Sequence, residues 1–177
     1  MDFETLVKTR RSIKQYEDTT VNDQDVQDAI ELATYAPNHG MREPWRIVWV
    51  KKHRVADFSQ LFGSLSFKGQ TEKQAQFNDK LAPLAGVLLV VGPRDRRQKE
   101  HLEDVLAVGG FMQTLSLALH QKSIGSCIKT PGTMFIPELN DALNIQKEEM
   151  LYGLIYLTAQ TSNEIKERKN SNLISEF

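Results

Sequence analysis

The chain has one cysteine among its 177 residues, and its acidic and basic residues nearly cancel. A single cysteine, Cys127, excludes an internal disulfide and a paired-cysteine metal site, and it suits a reducing compartment. With 22 basic and 23 acidic residues, the net charge of -1 gives no reason to expect a surface for nucleic acid or anionic membrane. The longest apolar run, residues 85–91, is too short to cross a bilayer, and the N-terminus lacks the apolar centre of a signal peptide. We therefore expect a soluble, cytoplasmic protein.

Several common functional motifs are also absent. The sequence contains no G-x-G-x-x-G, G-x-x-x-x-G-K-[ST], H-E-x-x-H or G-x-S-x-G pattern. A Rossmann dinucleotide crevice, a P-loop, a zinc protease and a hydrolase nucleophile elbow therefore have no support. The four histidines show no ligand spacing with the lone cysteine, so we expect no metal site.

The most informative stretch runs from His101 to Gly132, and its first two thirds predict a long buried central helix that stops near Gly125. About 20 residues at 1.5 Å each span roughly 30 Å, the width of a small domain. Gly109 and Gly110 each cost about 1 kcal/mol in a helix, which predicts close approach by another backbone or by a flat ligand. Apolar residues spaced by threes and fours define the inward face of this helix: Leu102, Val105, Leu106, Val108, Met112, Leu115 and Leu119.

Helices and strands alternate through the rest of the predicted chain. Two N-terminal helices, capped by Asp2 and by Thr20 or Asn22, are expected to bury Phe3, Leu6, Val7, Val26, Ala29, Ile30 and Ala33. Strands are predicted at residues 45–50, 85–91, 127–130 and 151–158, with helices at 55–62, 70–81 and from residue 137. This order indicates an α+β, three-layer arrangement in one domain of residues 1–177. Because the tail from residue 159 cannot form a core of its own, we expect a homodimer in which residues 159–177 pack on the partner subunit.

Three places carry residues suited to binding. Arg10, Arg11 and Ser12 follow a helix and can hold a phosphate, although a solvated basic corner is the alternative. The loop of residues 36–45 exposes His39 on a rigid scaffold, where an ordinary surface histidine is the alternative. The exit loop of residues 128–132 can present backbone N–H groups and the Lys129 cation to an electron-rich ring, or it is a simple turn.

Taken together, these places form a recognisable pattern. RRS at residues 10–12, APNHGMREPW at 36–45, IGSCIKTPG at 124–132 and LYGLIYL at 151–157 occur in an order and spacing that resembles the FMN-dependent nitroreductase family. The resemblance extends from Leu6 to about Leu157. It implies a dimeric, nitroreductase-like three-layer sandwich with a central mixed or antiparallel sheet, and one FMN at each of two subunit-interface sites.

The resemblance also implies residue roles. The residues that would contact the phosphate and ribityl side are Arg10, Arg11 and Ser12, and Lys14 would lie near the pyrimidine side of the flavin. Those that would reach the flavin of the other subunit are Tyr35 and His39. Those that would lie beside the isoalloxazine ring are Ile128, Lys129 and Thr130. A cation near the ring would raise the flavin's reduction potential, and the arginines would neutralise its phosphate.

The implied activity is two-electron transfer by a ping-pong mechanism. NADH or NADPH would bind transiently and give hydride to the flavin N5, and a nitroaromatic, a quinone or an enone would then accept the electrons. No catalytic residue of the protein is required. The alternatives are an FMN-binding dimer with little turnover, serving as a carrier or regulatory partner, and a structural dimer without cofactor.

The sequence departs from the family pattern at three points. Glu43 stands where relatives usually carry an amide before Pro-Trp, which places a negative charge near the cleft. Tyr35 replaces a basic residue, so its contact with the flavin is expected to be stacking. The tail lacks the family's proline-and-arginine ending, and the residues that can substitute for it at the phosphate are Lys166, Arg168 and Lys169.

Overall fold

The computed structural model describes residues 1–168 and 173–176. The helices are α1 (Phe3–Thr9), α2 (Asp23–Ala33), α3 (Val55–Ser66), α4 (Thr71–Leu81), α5 (Gln98–Gln121) and α6 (Pro137–Ala142). The strands are β1 (Arg46–Lys51), β2 (Gly86–Pro93), β3 (Gly125–Lys129) and β4 (Glu149–Thr158). The predicted order of helices and strands is confirmed, and most boundaries differ from the prediction by a few residues.

The four strands form one sheet in the order β1-β2-β4-β3, and every pair of neighbours is antiparallel. Residues 86–92 of the central strand β2 are buried, which explains why this stretch reads as a continuous apolar run with no alternation. Strand β4 pairs with β2 along its whole length, with one irregularity between Val90 and Val91. The short strand β3 lies at the edge beside β4 and leads into the predicted exit loop.

Helices cover both faces of this sheet. On one face, Leu88 and Val90 of β2 join a core with Phe111 and Leu115 of α5 and with apolar residues of α2. On the other face, neighbouring residues of β2 join a second core with α3 and α6, which includes Phe62. Because successive residues of a strand point to opposite faces, β2 contributes to both cores. The predicted three-layer α+β architecture is therefore confirmed, with an antiparallel sheet between two helical layers.

Helix α5 has 24 residues, and its two sides have different surroundings. Leu115 and Leu119 are fully buried, as predicted, and so is Phe111. The prediction that all the listed apolar residues face inward was wrong: at about 100° per residue, Leu102 and Leu106 lie on the opposite side of the helix from Phe111 and Leu115, and they are 58% and 67% exposed. By length and mean hydropathy α5 could cross a membrane, but half of its most apolar window is buried, as in the core helix of a globular fold.

The two glycines of α5 also have different neighbours. A Cβ on Gly110 would lie 3.8 Å from the Ala36 side chain and 4.0 Å from Pro37, so the predicted close packing occurs at this residue. A Cβ on Gly109 would have nothing within 4 Å. The helix also ends four residues earlier than the predicted stop near Gly125. Ser123 adopts a left-handed conformation (φ 59°) and the Ile124 N–H donates to the Leu119 carbonyl at 2.9 Å, which closes the last turn.

The N-terminal helices have the predicted kind of cap. Asp2 accepts a hydrogen bond from the Thr5 N–H at 3.0 Å, and Asn22 accepts one from the Gln24 N–H at 2.8 Å. Leu6 is buried as expected. The predicted inward positions of Phe3 and Val7 were wrong, because the short α1 crosses the end of α5 and turns only one side toward it; these residues are 74% and 42% exposed. On α2, Val26, Ala29 and Ala33 are buried, and Ile30 is half-buried at the edge of the core.

Candidate functional site

The segment that follows α1 runs alongside the edge strand β3. Ser12 forms a parallel bridge with Ser126, and the Ile13 N–H donates to the Ser126 carbonyl at 3.0 Å. Because β3 pairs with β4 only on its other side, its free edge is available to hold the segment 10–13 in an extended conformation. The fold therefore places Arg10, Arg11 and Ser12 together where β3 leaves the end of α5.

Arg11 is the least satisfied side chain of this segment. Its Nη1 donates to the Arg10 carbonyl at 2.8 Å, but its Nε and Nη2 atoms are buried and have no hydrogen-bond partner in the described part of the chain. Burial, and after it the positive charges of Arg11 and Arg168, lower the pKa of Arg10 below its usual value. Two cations placed side by side, with buried N–H groups left free, form a site suited to an anion.

A cleft of about 690 Å³ opens beside Arg11. Ser12 and Lys14 line one wall of it, and residues 159–162 of the tail line another. The Gln160 side-chain amide donates to the Glu17 carboxylate, which ties the start of the tail to this wall. Lys166 also lines the cleft, and Arg168 is close enough to Arg10 to affect its pKa, so two of the three predicted tail cations lie at the arginine turn. Lys169 lies outside the described residues.

A second cleft, of about 360 Å³, lies behind the end of β3. Lys129 and Thr130 line it, whereas Ile128 does not, because alternate residues of a strand face opposite sides. Ile128 is 40% exposed on the other face of β3. Tyr16 also lines this cleft, and its hydroxyl, protonated at neutral pH like that of an ordinary tyrosine, can donate a hydrogen bond there; burial raises its pKa further, to about 12. The remaining lining residues are Phe62, Phe77, Lys80, Leu81, Pro131 and Tyr156.

His39 lies at the opposite end of α5 from the arginine turn, and Tyr35 lies beside Ala36, which packs against Gly110 in the middle of the helix. The His39 Nδ1 atom is 3.9 Å from the Glu103 carboxylate near the start of α5, whereas Thr9 contacts His120 at its end. The rise between residues 103 and 120 is roughly 25 Å at 1.5 Å per residue. Tyr35 is 85% exposed. One protomer therefore groups the other predicted site residues near β3 and leaves Tyr35 and His39 apart from them.

The loop that carries His39 has a strained backbone, and an ion pair with a buried carboxylate stabilises it. Met41 and Glu43 adopt left-handed conformations, with φ of 54° and 45°. Between them, the Arg42 Nη2 atom donates to the Asp104 carboxylate at 3.0 Å and lies 3.5 Å from the Asp95 carboxylate. Asp104 is 1% exposed, and its burial raises its pKa even though the Arg42 charge acts in the opposite direction. The ion pair thus stabilises a loop conformation that few residues other than glycine adopt readily.

Comparisons with known proteins identify the family. The model of the nitroreductase family matches residues 7–157, which is most of the chain. The chain belongs to the nitroreductase family.

Relatives and solved structures of this family agree with the fold. A Bacillus subtilis protein, YfhC, whose name assigns it provisionally to the NAD(P)H nitroreductases, is 30% identical over 155 residues, which cover 85% of this chain and 80% of YfhC. A nitroreductase-like family protein from Bacillus cereus has a TM-score of 0.83 at 21% identity, covering 97% of this chain and 91% of the other. A provisional nitroreductase from Desulfovibrio desulfuricans, solved in complex with FMN, has a TM-score of 0.76 at 18% identity and covers 100% and 99% of the two chains.

Sequence reasoning missed several residues that line the clefts of this nitroreductase-family protein. Tyr16 follows Lys14 by two residues, but Lys14 lines the cleft beside Arg11 and Tyr16 lines the second cleft, so the alternation of an extended segment could not have revealed it. Lys80 could not have been found from the sequence either. It lies in a polar, weakly patterned stretch, and only the packing of α3 and α4 against the sheet brings it beside Lys129.

Replacing Arg42 by methionine is expected to destabilise the protein by roughly 2–3 kcal/mol at neutral pH, because Asp104 is left buried and charged. The expected loss of stability is smaller than for a fully buried ion pair, because the Arg42 side chain is 30% exposed. A buried carboxylate with a raised pKa takes up a proton more readily in the folded state, so the loss should shrink as the pH falls from about 7.5 to about 5.

Urea denaturation at both pH values measures this effect, and the Arg42→Met/Asp104→Asn double variant is the control. Removing the buried charge should restore most of the stability. A single variant as stable as the wild type at neutral pH would contradict the assigned role of the ion pair.

Proposed function

We propose that this protein is an FMN-dependent oxidoreductase that transfers two electrons from NADH or NADPH to a small oxidised acceptor. The observation that carries the proposal is the Arg10–Arg11 turn, where the charge of Arg11 acts on Arg10 and the Nε and Nη2 atoms of Arg11 are buried without partners among the described residues. Membership of the nitroreductase family and the likeness to a structure solved with FMN support the assignment. The lone, buried Cys127 fits a reducing cytoplasm, where we place the protein.

The residues of the two clefts fit the parts of FMN. At the phosphate end, Arg11 lines the cleft together with Ser12, whose hydroxyl would add a hydrogen bond, and Arg10 beside the cleft would contribute a second positive charge. Lys166 lines the same cleft and can approach the phosphate from the tail. At the ring end, the segment Lys129–Pro131 and the Tyr16 side chain form a wall with aromatic and apolar surface, which suits a flat heterocycle.

When bound, FMN supplies the redox chemistry, since it accepts a hydride at N5 from the nicotinamide donor and passes two electrons to the acceptor. The half-buried Lys129 lines the second cleft without an ion-pair partner among the described residues, so its charge remains available to offset negative charge on the ring. Lys14 lines the arginine cleft instead, so in this arrangement its charge would act at the phosphate end and not at the pyrimidine side of the ring. Neither residue has to donate or abstract a proton for this role.

We further propose that two copies of the chain complete each site. The first turns of α5 present an exposed apolar face, with Leu102, Val105 and Leu106 between 39% and 67% exposed, and Tyr35 and Met41 in the neighbouring loop are more exposed still. Such a face suits a symmetric contact with a second copy. The proposal requires the two α5 helices to run antiparallel in this contact, so that the end of one helix that carries His39 lies beside the arginine turn of its partner, because these two ends are roughly 25 Å apart within a chain.

The function is tested by adding FMN to the purified protein and then NADH or NADPH in the absence of oxygen. We expect the yellow colour to bleach with at least one donor and to return when a quinone is added. A bound flavin that neither donor bleaches would instead support a flavin carrier. Protein that takes up no FMN would contradict the proposal altogether.

Replacing Arg11 by alanine should weaken FMN binding by about 10- to 100-fold, because a charge-assisted contact to phosphate is worth about 1.5–3 kcal/mol. Flavin fluorescence gives the dissociation constant. The matched control is Arg94→Ala, which removes an exposed arginine at the far end of β2 and should leave the affinity unchanged. Equal affinity of Arg11→Ala and wild type would place the phosphate elsewhere.

Replacing Leu106 by arginine should dissociate the dimer, because it places a charge in the middle of the proposed apolar contact. The residue is 67% exposed in the protomer, so the change is compatible with the fold. Phe135→Arg is the control, since Phe135 is 64% exposed in the turn before α6, away from that face. Sedimentation velocity should show a monomer with poor FMN retention for Leu106→Arg only; a dimeric Leu106→Arg protein would exclude this interface.

A further inference from the structure

His120 occupies a buried position directly behind the arginine turn. It lies in the last turn of α5 and is 7% exposed, and its Nε2 atom is 3.0 Å from the hydroxyl of Thr9. Thr9 is the last residue of α1 and is itself 4% exposed. The next residues along the chain are Arg10 and Arg11. The contact therefore joins the end of α5 to the residue from which the phosphate-binding turn begins.

Counting protons assigns the direction of this hydrogen bond. The Thr9 hydroxyl has one proton, and it lies 2.7 Å from the Thr5 carbonyl, which can only accept. The Met1 thioether, at 3.6 Å, is a weaker acceptor. The hydroxyl therefore donates to Thr5 and accepts from His120, which must carry its proton on Nε2. An Nε2–H donor is present in one neutral tautomer and also in the charged imidazolium, so the bond does not depend on the charge.

The charges around His120 favour the neutral form. Burial is the main cause that lowers its pKa, and the positive charges of Arg10 and Arg11 add to the effect. A neutral imidazole can donate a hydrogen bond here without placing a third cation behind the two arginines. Lysine or arginine at this position would repel the guanidinium groups, and an apolar residue would leave the Thr9 oxygen with one partner fewer.

We propose that His120 and Thr9 are positioning residues for phosphate recognition: the Nε2–H···Oγ1 bond fixes the start of the turn, and so the placement of Arg10 and Arg11 toward the anion. The inference rests on the proposed function, because it assigns the phosphate of FMN as the anion. It predicts an effect on the phosphate end of the ligand and little effect on the ring end, which the second cleft would hold.

The experiment compares FMN with riboflavin, which has the same ring and no phosphate. Thr9→Val and His120→Phe remove the acceptor and the donor, and each should weaken FMN binding about tenfold while changing riboflavin binding less than about threefold. Thr9→Ser and His120→Gln keep a hydroxyl acceptor and an N–H donor, and each should stay within about threefold of wild type for FMN. Because both losses act through one bond, the Thr9→Val/His120→Phe double variant should bind FMN no more than about threefold worse than either single variant.

The outcomes separate the two levels of the proposal. Equal losses of affinity for FMN and for riboflavin would show a general structural effect and overturn the positioning role. The role would also be overturned if the losses of FMN affinity in the two single variants multiply in the double variant. Thr9→Val provides the same test if His120→Phe fails to fold. If the wild-type protein binds FMN and every variant binds FMN over riboflavin by the same ratio as the wild type, this inference alone is overturned. If the wild-type protein binds neither flavin, the proposed function is overturned with it.

Discussion

Helix α5 sets the main constraint on this fold, because its two sides have different surroundings along one continuous backbone. One side fills the core between α2 and the sheet, where Phe111 and Leu115 are fully buried. The opposite side leaves Leu102 and Leu106 of the first turns exposed. The helix is rigid and long, so whatever packs at its two ends is held roughly 25 Å apart. The separation of the arginine turn from the loop of residues 36–45 follows from this geometry.

The sequence predicts the interior of the fold well and its exposed apolar positions poorly. Apolar residues occur on more than one side of α5, and the sequence does not say which side the sheet covers. Leu106 and Leu115 are both apolar, but at about 100° per residue they lie on opposite sides of the helix, and only Leu115 is buried. Gly109 and Gly110 are ambiguous for the same reason, since only Gly110 has a neighbour within 4 Å. Which apolar residues remain exposed is a property of the tertiary structure.

Some residues of the candidate site can be recognised from neighbouring residues in the sequence, and others only from the tertiary structure. Arg10, Arg11 and Ser12 are adjacent in sequence, so a motif can reveal them, and their pairing with β3 follows from the edge of the sheet. Lys80 comes beside Lys129 only because α3 and α4 fold back over the sheet between β1 and β2. No local pattern encodes that approach. The roles of His120 and Asp104 are hidden for a further reason, since a polar residue on an apolar helix shows its function only when its partner is known.

Electrostatics links these observations. The chain carries a net charge of only -1, and many of its surface cations are paired, such as Arg46 with Glu149 at 2.6 Å. In the described residues, the cations that line the two clefts near β3 are mostly without such partners: Arg11, Lys14, Lys80 and Lys129. Leaving buried guanidinium N–H groups unpaired is costly, so a fold retains them where an anion completes them. The positive potential of this protein is therefore local, and a neutral His120 behind the arginines keeps it from rising further in the absence of that anion.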